Sequence, residues 1–262
     1  MRIDKVLANI TNKDLEFISS GFEGLDKALD RGFLRQELVV IGGFTGVGKS
    51  YLGGQLFYQA VQQGFRSGYF STELSNRMIA ARLIGSLVNV KPIKLISDDL
   101  TKEERKEVKK SKAKVFAYSE FMNIYDNKYQ LFAIEKEIKD KKLEFVIVDF
   151  LQSVLTTARD EYSRLSHVSL QLQKLAKEAN CAIIAFSQLS NRYAREKTEG
   201  VLEYKGSGSI SQVCDLGFML FKDQQYSDQL DLTLMKNRRG CSGQVIQLRQ
   251  NYPGGWLSEV KK

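Results

Sequence analysis

The amino-acid sequence predicts an α/β fold in which a mostly parallel central sheet is flanked by helices and continued at its C-terminal side by antiparallel strands. Two observations carry this expectation. Five short apolar runs, at 37–42, 67–72, 114–119, 144–149 and 181–187, are separated by stretches with helical periodicity. Strands that alternate with helices run parallel, because each needs a crossover, and their continuous apolar character fits burial on both faces. Three further runs, 217–221, 230–235 and 244–248, follow one another with links too short for a helix, so they suit antiparallel pairing.

Along the chain, residues 1–17 read as an N-terminal arm or linker, polar with scattered apolar positions, and residues 18–262 as one domain. A length of 262 residues at 43% hydrophobic and 27% charged is enough for one sizeable core. Residues 101–114, TKEERKEVKKSKAK, form a dense mixed-charge run that reads as a solvated helix face. Between 165 and 179, Leu165, Val168, Leu172, Leu175, Ala176 and Ala179 recur at three- and four-residue spacing and lay one apolar stripe along a helix. No stretch approaches 18 consecutive apolar residues and the N-terminus has no secretory core, so the expected setting is the cytoplasm with no membrane. Cys181, Cys214 and Cys241 are widely spaced, and His167 is the one histidine. They read as reduced structural thiols rather than a metal cage. A net charge of +8 suits a polyanionic partner, or simply a lysine-rich exterior.

Residues 43–50, GFTGVGKS, fit the phosphate-loop pattern G-x-x-x-x-G-K-[ST] between an apolar strand and a helical stretch. Gly43, Thr45, Gly46, Val47 and Gly48 form the loop, whose glycines let backbone N–H groups wrap a phosphate. Lys49 supplies positive charge to the outer phosphates, and Ser50 a hydroxyl to magnesium. The expected ligands are therefore a phosphate-bearing nucleotide and Mg2+. Asp149 ends the run FVIVD, where an acid at the carboxyl end of a buried parallel strand faces the ligand crevice and can hold the metal. Glu73 follows SGYFST in the same way. It either orients and deprotonates an attacking water or caps the next helix. Gln188 ends a third strand, as a sensor of the γ-phosphate or as an ordinary polar terminus. KNRRG, 236–240, gathers three cations before a glycine turn and reads either as a solvated basic hairpin or as charge directed at an anion.

Taken in order, GFTGVGKS, FSTELS, VIVDFLQS, LQKLAKEANCAIIAFSQLSN, GSGSISQVCDLGFMLFKD and MKNRRGCSGQVIQL resemble the RecA-like motor domain of the DnaB-type replicative DNA helicases, over about residues 18–257. The resemblance implies a RecA-like P-loop NTPase that works as a hexameric ring, hydrolyses ATP and moves 5′ to 3′ on single-stranded DNA, with a primase or loader as possible partners. It implies Glu73 as catalytic glutamate, Asp149 with Ser50 at magnesium, and Gln188 as the residue coupling nucleotide to DNA. Lys236 and Arg238 match the pair that reaches the γ-phosphate of the adjacent subunit. Arg239 has no assigned role, since the family's usual residue there is uncharged; adding to the DNA electrostatics is one reading. The loop 204–212, with Lys205, Gly206, Ser207 and Gly208, suits backbone contacts to DNA phosphates, and Arg192 and Arg195 either line the same channel or sit in a surface loop.

Residues 1–17 are too short for the family's helical collar. The expectation is an isolated motor domain or a short, phage-like member acting in a host cytoplasm. The stretch SSGFEGLDKALDRGF also resembles the entry to the RadA and KaiC groups. The alternatives to a helicase motor are accordingly a recombination-type ATPase switch and a helicase-like accessory that does not unwind.

Overall fold

The structure, a computed structural model, describes residues 16–157, 160–189, 208–223 and 225–260. Its first elements are β1 (Phe17–Ile18) and α1 (Glu23–Ala28), followed by β2 (Phe33–Leu34), which pairs antiparallel with β1. Then come β3 (Leu38–Gly43), α2 (Lys49–Gln62), β4 (Ser67–Ser71), α3 (Asn76–Val88), α4 (Pro92–Ser97), α5 (Lys102–Phe116) and β5 (Met122–Tyr125). The remainder is α6 (Leu131–Asp140), β6 (Phe145–Asp149), α7 (Glu161–Glu178), β7 (Ala182–Gln188), α8 (Gly208–Val213), β8 (Leu216–Lys222), β9 (Gln229–Asn237), β10 (Val245–Asn251) and β11 (Trp256–Glu259).

One nine-stranded sheet runs in the order β11-β10-β9-β8-β3-β7-β6-β4-β5. From β8 to β5 every neighbour is parallel, and from β8 to β11 every neighbour is antiparallel. The expected parallel sheet with an antiparallel extension is therefore present, with β8 as the strand where the two halves meet. Period-two alternation divides the core between the two faces. Val39, Ile41, Ile147 and Ile184 pack with Leu52, Leu56 and Phe57 of α2 on one side. Leu38, Val40, Val146 and Ile183 pack with α6 and with the predicted α7 stripe of Leu165, Val168, Leu172, Leu175 and Ala176 on the other. Each such buried aliphatic side chain contributes about 1.5–3 kcal/mol.

One expected strand is absent. Residues 114–116 continue α5, which a capping box of Thr101 and Glu104 starts and which runs to Phe116. Val115 and Phe116 have the apolar character of a strand, yet the helix is already propagating and Phe116 is exposed. The edge strand falls instead at β5, whose four residues are only half-buried. The charged run is a solvated helix as expected: within α5 only Val108 and Ser111 are buried. All three cysteines are free, Cys181 and Cys214 buried and Cys241 exposed. Among the described residues no helix is long and apolar enough to cross a membrane.

Candidate active site

Four strand ends converge on one cleft of about 310 Å3. Parallel register explains the convergence: Gly43 of β3 lies opposite Gln188 of β7, and Ser71 of β4 opposite Asp149 of β6. All four segments thus leave the sheet at the same rim, outside the carboxyl ends of the strands, where open α/β sheets bind ligands. Thr45, Gly46, Gly48, Lys49, Ser50, Glu73, Asp149 and Gln188 all line the cleft. Gly43 and Val47 close the loop from below: Val47 is buried, and a Cβ on Gly43 would sit 3.0 Å from the Leu220 carbonyl oxygen. Gly46 and Gly48 adopt φ of 77° and 109°, a left-handed backbone that glycine tolerates without strain.

α2 starts at Lys49 with no side-chain cap, so its positive end faces the cleft unmasked. The Lys49 ammonium donates to the carbonyl oxygens of Gly43 (2.7 Å) and Phe44 (2.9 Å). Burial lowers its pKa, and the nearby carboxylates of Asp149 and Glu73 oppose that shift.

Asp149 is 5% exposed, and its Oδ2 accepts a hydrogen bond of 2.7 Å from the Tyr69 hydroxyl. Burial, followed by the Asp149 charge, pushes the Tyr69 pKa well above its ordinary value, so the phenol stays a donor. Thr72 pins the chain just past Asp149: its backbone N–H and its hydroxyl both donate to the Asp149 carbonyl oxygen (2.9 and 3.0 Å), and its Oγ1 accepts from Phe150 N–H at 3.1 Å. Glu73 stands exposed on the rim. The helix-cap reading of Glu73 is replaced: Ser75 is the N-cap of α3, its side chain accepting from Met78 N–H at 3.3 Å. Among the described residues no three His, Cys, Asp or Glu gather around a point.

Gln188 reaches back to the phosphate loop, its Nε2 donating to Thr45 Oγ1 at 2.5 Å. Its backbone is held by the Gln152 side chain, whose Oε1 accepts from Gln188 N–H (3.2 Å) while its Nε2 donates to Gln188 O (3.2 Å) and Ser187 Oγ (3.0 Å). Sequence reasoning misses Tyr69, Thr72 and Gln152. A hydroxyl inside the apolar run SGYFST is the signal that marks Tyr69, because a buried phenol needs a partner. The outer cleft is closed by Arg82, whose guanidinium lies 4.9 Å over the Tyr51 ring, and by Tyr252, which donates to Gln250 Oε1 at 2.8 Å.

Lys236 and Arg238 do not line this cleft. β9 runs antiparallel to β8, placing Lys236 opposite Gly217, and β8 in turn sets Gly217 beside Val40 of β3. Arg238 N–H donates to Asp215 O, and Asp215 N–H to Leu38 O. Arg238 is thus level with the start of β3, five residues or about 16 Å of strand rise from Gly43, on the opposite rim. There Lys236 Nζ donates to the carbonyls of Ser211 (2.7 Å) and Gln212 (3.0 Å) at the end of α8. Arg238 pairs with Asp215 Oδ1 at 2.8 Å and donates to Gln212 O at 2.8 Å. Asp215, an acid opening an apolar strand, also escapes sequence reasoning; it is buried and additionally accepts from Leu38 N–H at 2.9 Å. Arg239 is occupied within the chain rather than free for DNA, with partners on Leu29, Gly32 and Glu37. Arg192, Arg195, Lys205, Gly206 and Ser207 lie outside the described residues, and Gly208 opens α8.

The model of the DnaB-like helicase C-terminal domain matches residues 18–252. A probable replicative DNA helicase of Trieres chinensis is 29% identical over 252 residues, covering 88% of this chain and 55% of that protein. The replicative DNA helicase DnaB of Treponema pallidum is 27% identical over 238 residues, 88% of this chain and 54% of its own. The chain spans about half the length of the curated relatives it matches. Among solved structures, one ATPase domain superposes with a TM-score of 0.82 at 20% identity, covering 95% of each chain. A DnaB-like replicative helicase, described with its interactions with primase, gives 0.80 at 20% identity over 95% of this chain and 63% of that one. These likenesses carry the RecA-like fold, and the domain match over residues 18–252 carries the kinship: the chain belongs to the DnaB-like helicase C-terminal domain family.

Proposed function

We propose that this chain is an ATP-hydrolysing DNA helicase motor that works with copies of itself in a ring. The observation that carries it is the separation of Lys236 and Arg238 from the cleft that their charge would serve. A cleft with a phosphate lysine, an acid and a rim glutamate, but with its candidate finger cations level with positions three to five residues back along β3, about 10–16 Å of strand rise toward the far rim, suits a reaction completed by a neighbouring copy.

In this reading the loop N–H groups and Lys49 bind the triphosphate, Lys49 exchanging its two carbonyl partners for phosphate oxygens. Ser50 and Asp149 offer one hydroxyl and one carboxylate in the same cleft, a donor set that fits magnesium, which retains water and phosphate oxygens as its other ligands. Magnesium, when bound, neutralises charge on the phosphates. Tyr69 orients Asp149 for that task through Oδ2. Glu73, exposed on the rim, orients the attacking water and takes its proton. Gln188, held by Gln152 and touching Thr45, registers the γ-phosphate and couples its loss to the loop 204–212, which holds single-stranded DNA in this reading. A neighbour's Lys236 and Arg238 stabilise charge on the transferring phosphoryl group. A hexamer, a primase or loader partner and a cytoplasmic setting complete the proposal on the strength of the family.

The test is steady-state ATP hydrolysis at low salt, with and without single-stranded DNA, over a protein concentration series. Stimulation by DNA and a specific activity that rises with concentration are expected. Hydrolysis indifferent to both would replace the shared-site motor with a self-contained ATPase switch.

A further inference from the structure

Just past the end of β9, two adjacent arginines turn to different parts of the chain. Arg238 turns toward Asp215 and the end of α8. Arg239 turns the other way and enters a pocket of acceptors built by a distant part of the sequence. Its Nη1 donates to Leu29 O (2.9 Å) and Gly32 O (3.1 Å), its Nη2 to Gly32 O (3.2 Å), and its Nε lies 3.0 Å from Glu37 Oε1. The Arg239 side chain is 16% exposed.

The acceptors are there for a structural reason. Between α1 and β2 the chain takes three successive positive φ values, at Asp30 (52°), Arg31 (112°) and Gly32 (126°). That reversal turns the carbonyls of Leu29 and Gly32 toward the hairpin, and a planar guanidinium, with its donors spread over three nitrogens, can collect both while its Nε faces a carboxylate, whereas an ammonium offers its donors from a single nitrogen. Arg239 is also tied into its own turn: its N–H donates to Asn237 Oδ1 (2.9 Å), and Asn237 Nδ2 donates to Cys241 O (3.0 Å). Residues 240–245 beyond it are exposed. Apart from the β9–β10 ladder, the hairpin base is thus gripped from two faces, by Arg238 on Asp215 and by Arg239 on the α1–β2 turn.

We infer that Arg239 is a positioning residue that holds the β9–β10 hairpin, and with it Lys236 and Arg238, in the geometry needed to reach a neighbour's phosphates. This rests on the shared-site reading above. When Lys236 and Arg238 leave their own-chain carbonyls and Asp215 to serve a neighbour, the grip on that face is released, and Arg239 is the side-chain anchor that remains. A charge delivered across a subunit boundary acts over ångström tolerances, and a misplacement of about 1 Å can cost about 100-fold in rate.

Arg239→Gln removes the two-carbonyl clamp without touching the cleft. Its affinity for a fluorescent ATP analogue is expected within about twofold of wild type, with KM unchanged and kcat lowered by about 10-fold or more. Mixed with wild-type protein, its subunits are expected to depress activity out of proportion to their share, in the same pattern as Arg238→Ala. If Arg239→Gln does not fold, Arg239→Lys, which keeps the charge but loses the fork of donors and the Nε that faces Glu37, carries the same test. A parallel loss of nucleotide affinity, or an unchanged kcat, would overturn the inference by reducing Arg239 to general stability. Disproportionate loss with Arg238→Ala but a linear response with the Arg239 variants would overturn it while leaving the shared site standing. A linear response with both would remove the shared site and the inference together.

Discussion

The two rims of the sheet hold their cations differently. At the carboxyl rim, Lys49 rests on two neutral carbonyls and two acids stand in the same cleft. At the other rim, Lys236 also rests on two carbonyls, but Arg238 and Arg239 are each paired with a mostly buried carboxylate and with backbone carbonyls. An ammonium on neutral acceptors can exchange them for an anion, whereas a guanidinium on a carboxylate is held more tightly. The difference teaches that, in the shared-site reading, Arg238 gives up a charged partner to serve a neighbour while Arg239 keeps its own.

The comparison can be broken most forcefully at the cleft. Lys49→Ala should weaken nucleotide binding by at least about 100-fold, because it removes the cation that meets the outer phosphates. Glu73→Ala should instead leave binding intact and lower kcat by about 100-fold or more. Fluorescent-nucleotide titration beside steady-state turnover separates the two, and normal turnover by the Glu73 variant would remove it from the mechanism.

A smaller effect is expected one layer back. Tyr69→Phe takes the hydroxyl from Asp149 Oδ2 and keeps the ring that meets Phe57 edge-on. Magnesium dependence of hydrolysis should shift to about 10-fold higher metal concentration, while nucleotide binding in magnesium-free buffer holds. An unshifted magnesium curve would mean that Asp149 is oriented without Tyr69.

The smallest effect sharpens the tight rim. Burial, with Asp215 adding to it, raises the Glu37 carboxyl from 4.5 to about 7 against the opposing pull of Arg239 and the Leu34 backbone. The folded state therefore holds this proton more tightly than the unfolded chain, so the stability it contributes is full below the ordinary value and is lost as pH rises through about 7. Glu37→Gln cannot titrate. Its melting temperature should gain on wild type by about 2–4 °C between about pH 5 and pH 8. Parallel melting curves for the two proteins would show that ionising Glu37 costs the fold nothing.

Local signals are legible in the sequence, and non-local ones are not. The phosphate loop can be read because its glycines, lysine and serine are contiguous, and the central strands because burial on both faces leaves unbroken apolar runs such as 145–148. β5 is misplaced because MNIY, half-buried at a sheet edge, carries a weaker pattern than the apolar end of α5. β1, β2 and β11 are two to four residues long and show no period of their own. Tyr69, Gln152 and Asp215 act through partners 80, 36 and 23 residues away, and only the register of the folded sheet brings those pairs together. Arg239 is the extreme case, since its carbonyl partners lie 207 and 210 residues back.

The antiparallel reversal between β8 and β9 also bears on symmetry. It carries the chain to the rim opposite the one at which β3 opens the cleft. In the proposed ring each copy lends its cations to the cleft of the next, which is a heterologous rather than an isologous contact, and a heterologous series either closes on itself or runs on without end. Which of the two occurs is set by the rotation from one copy to the next.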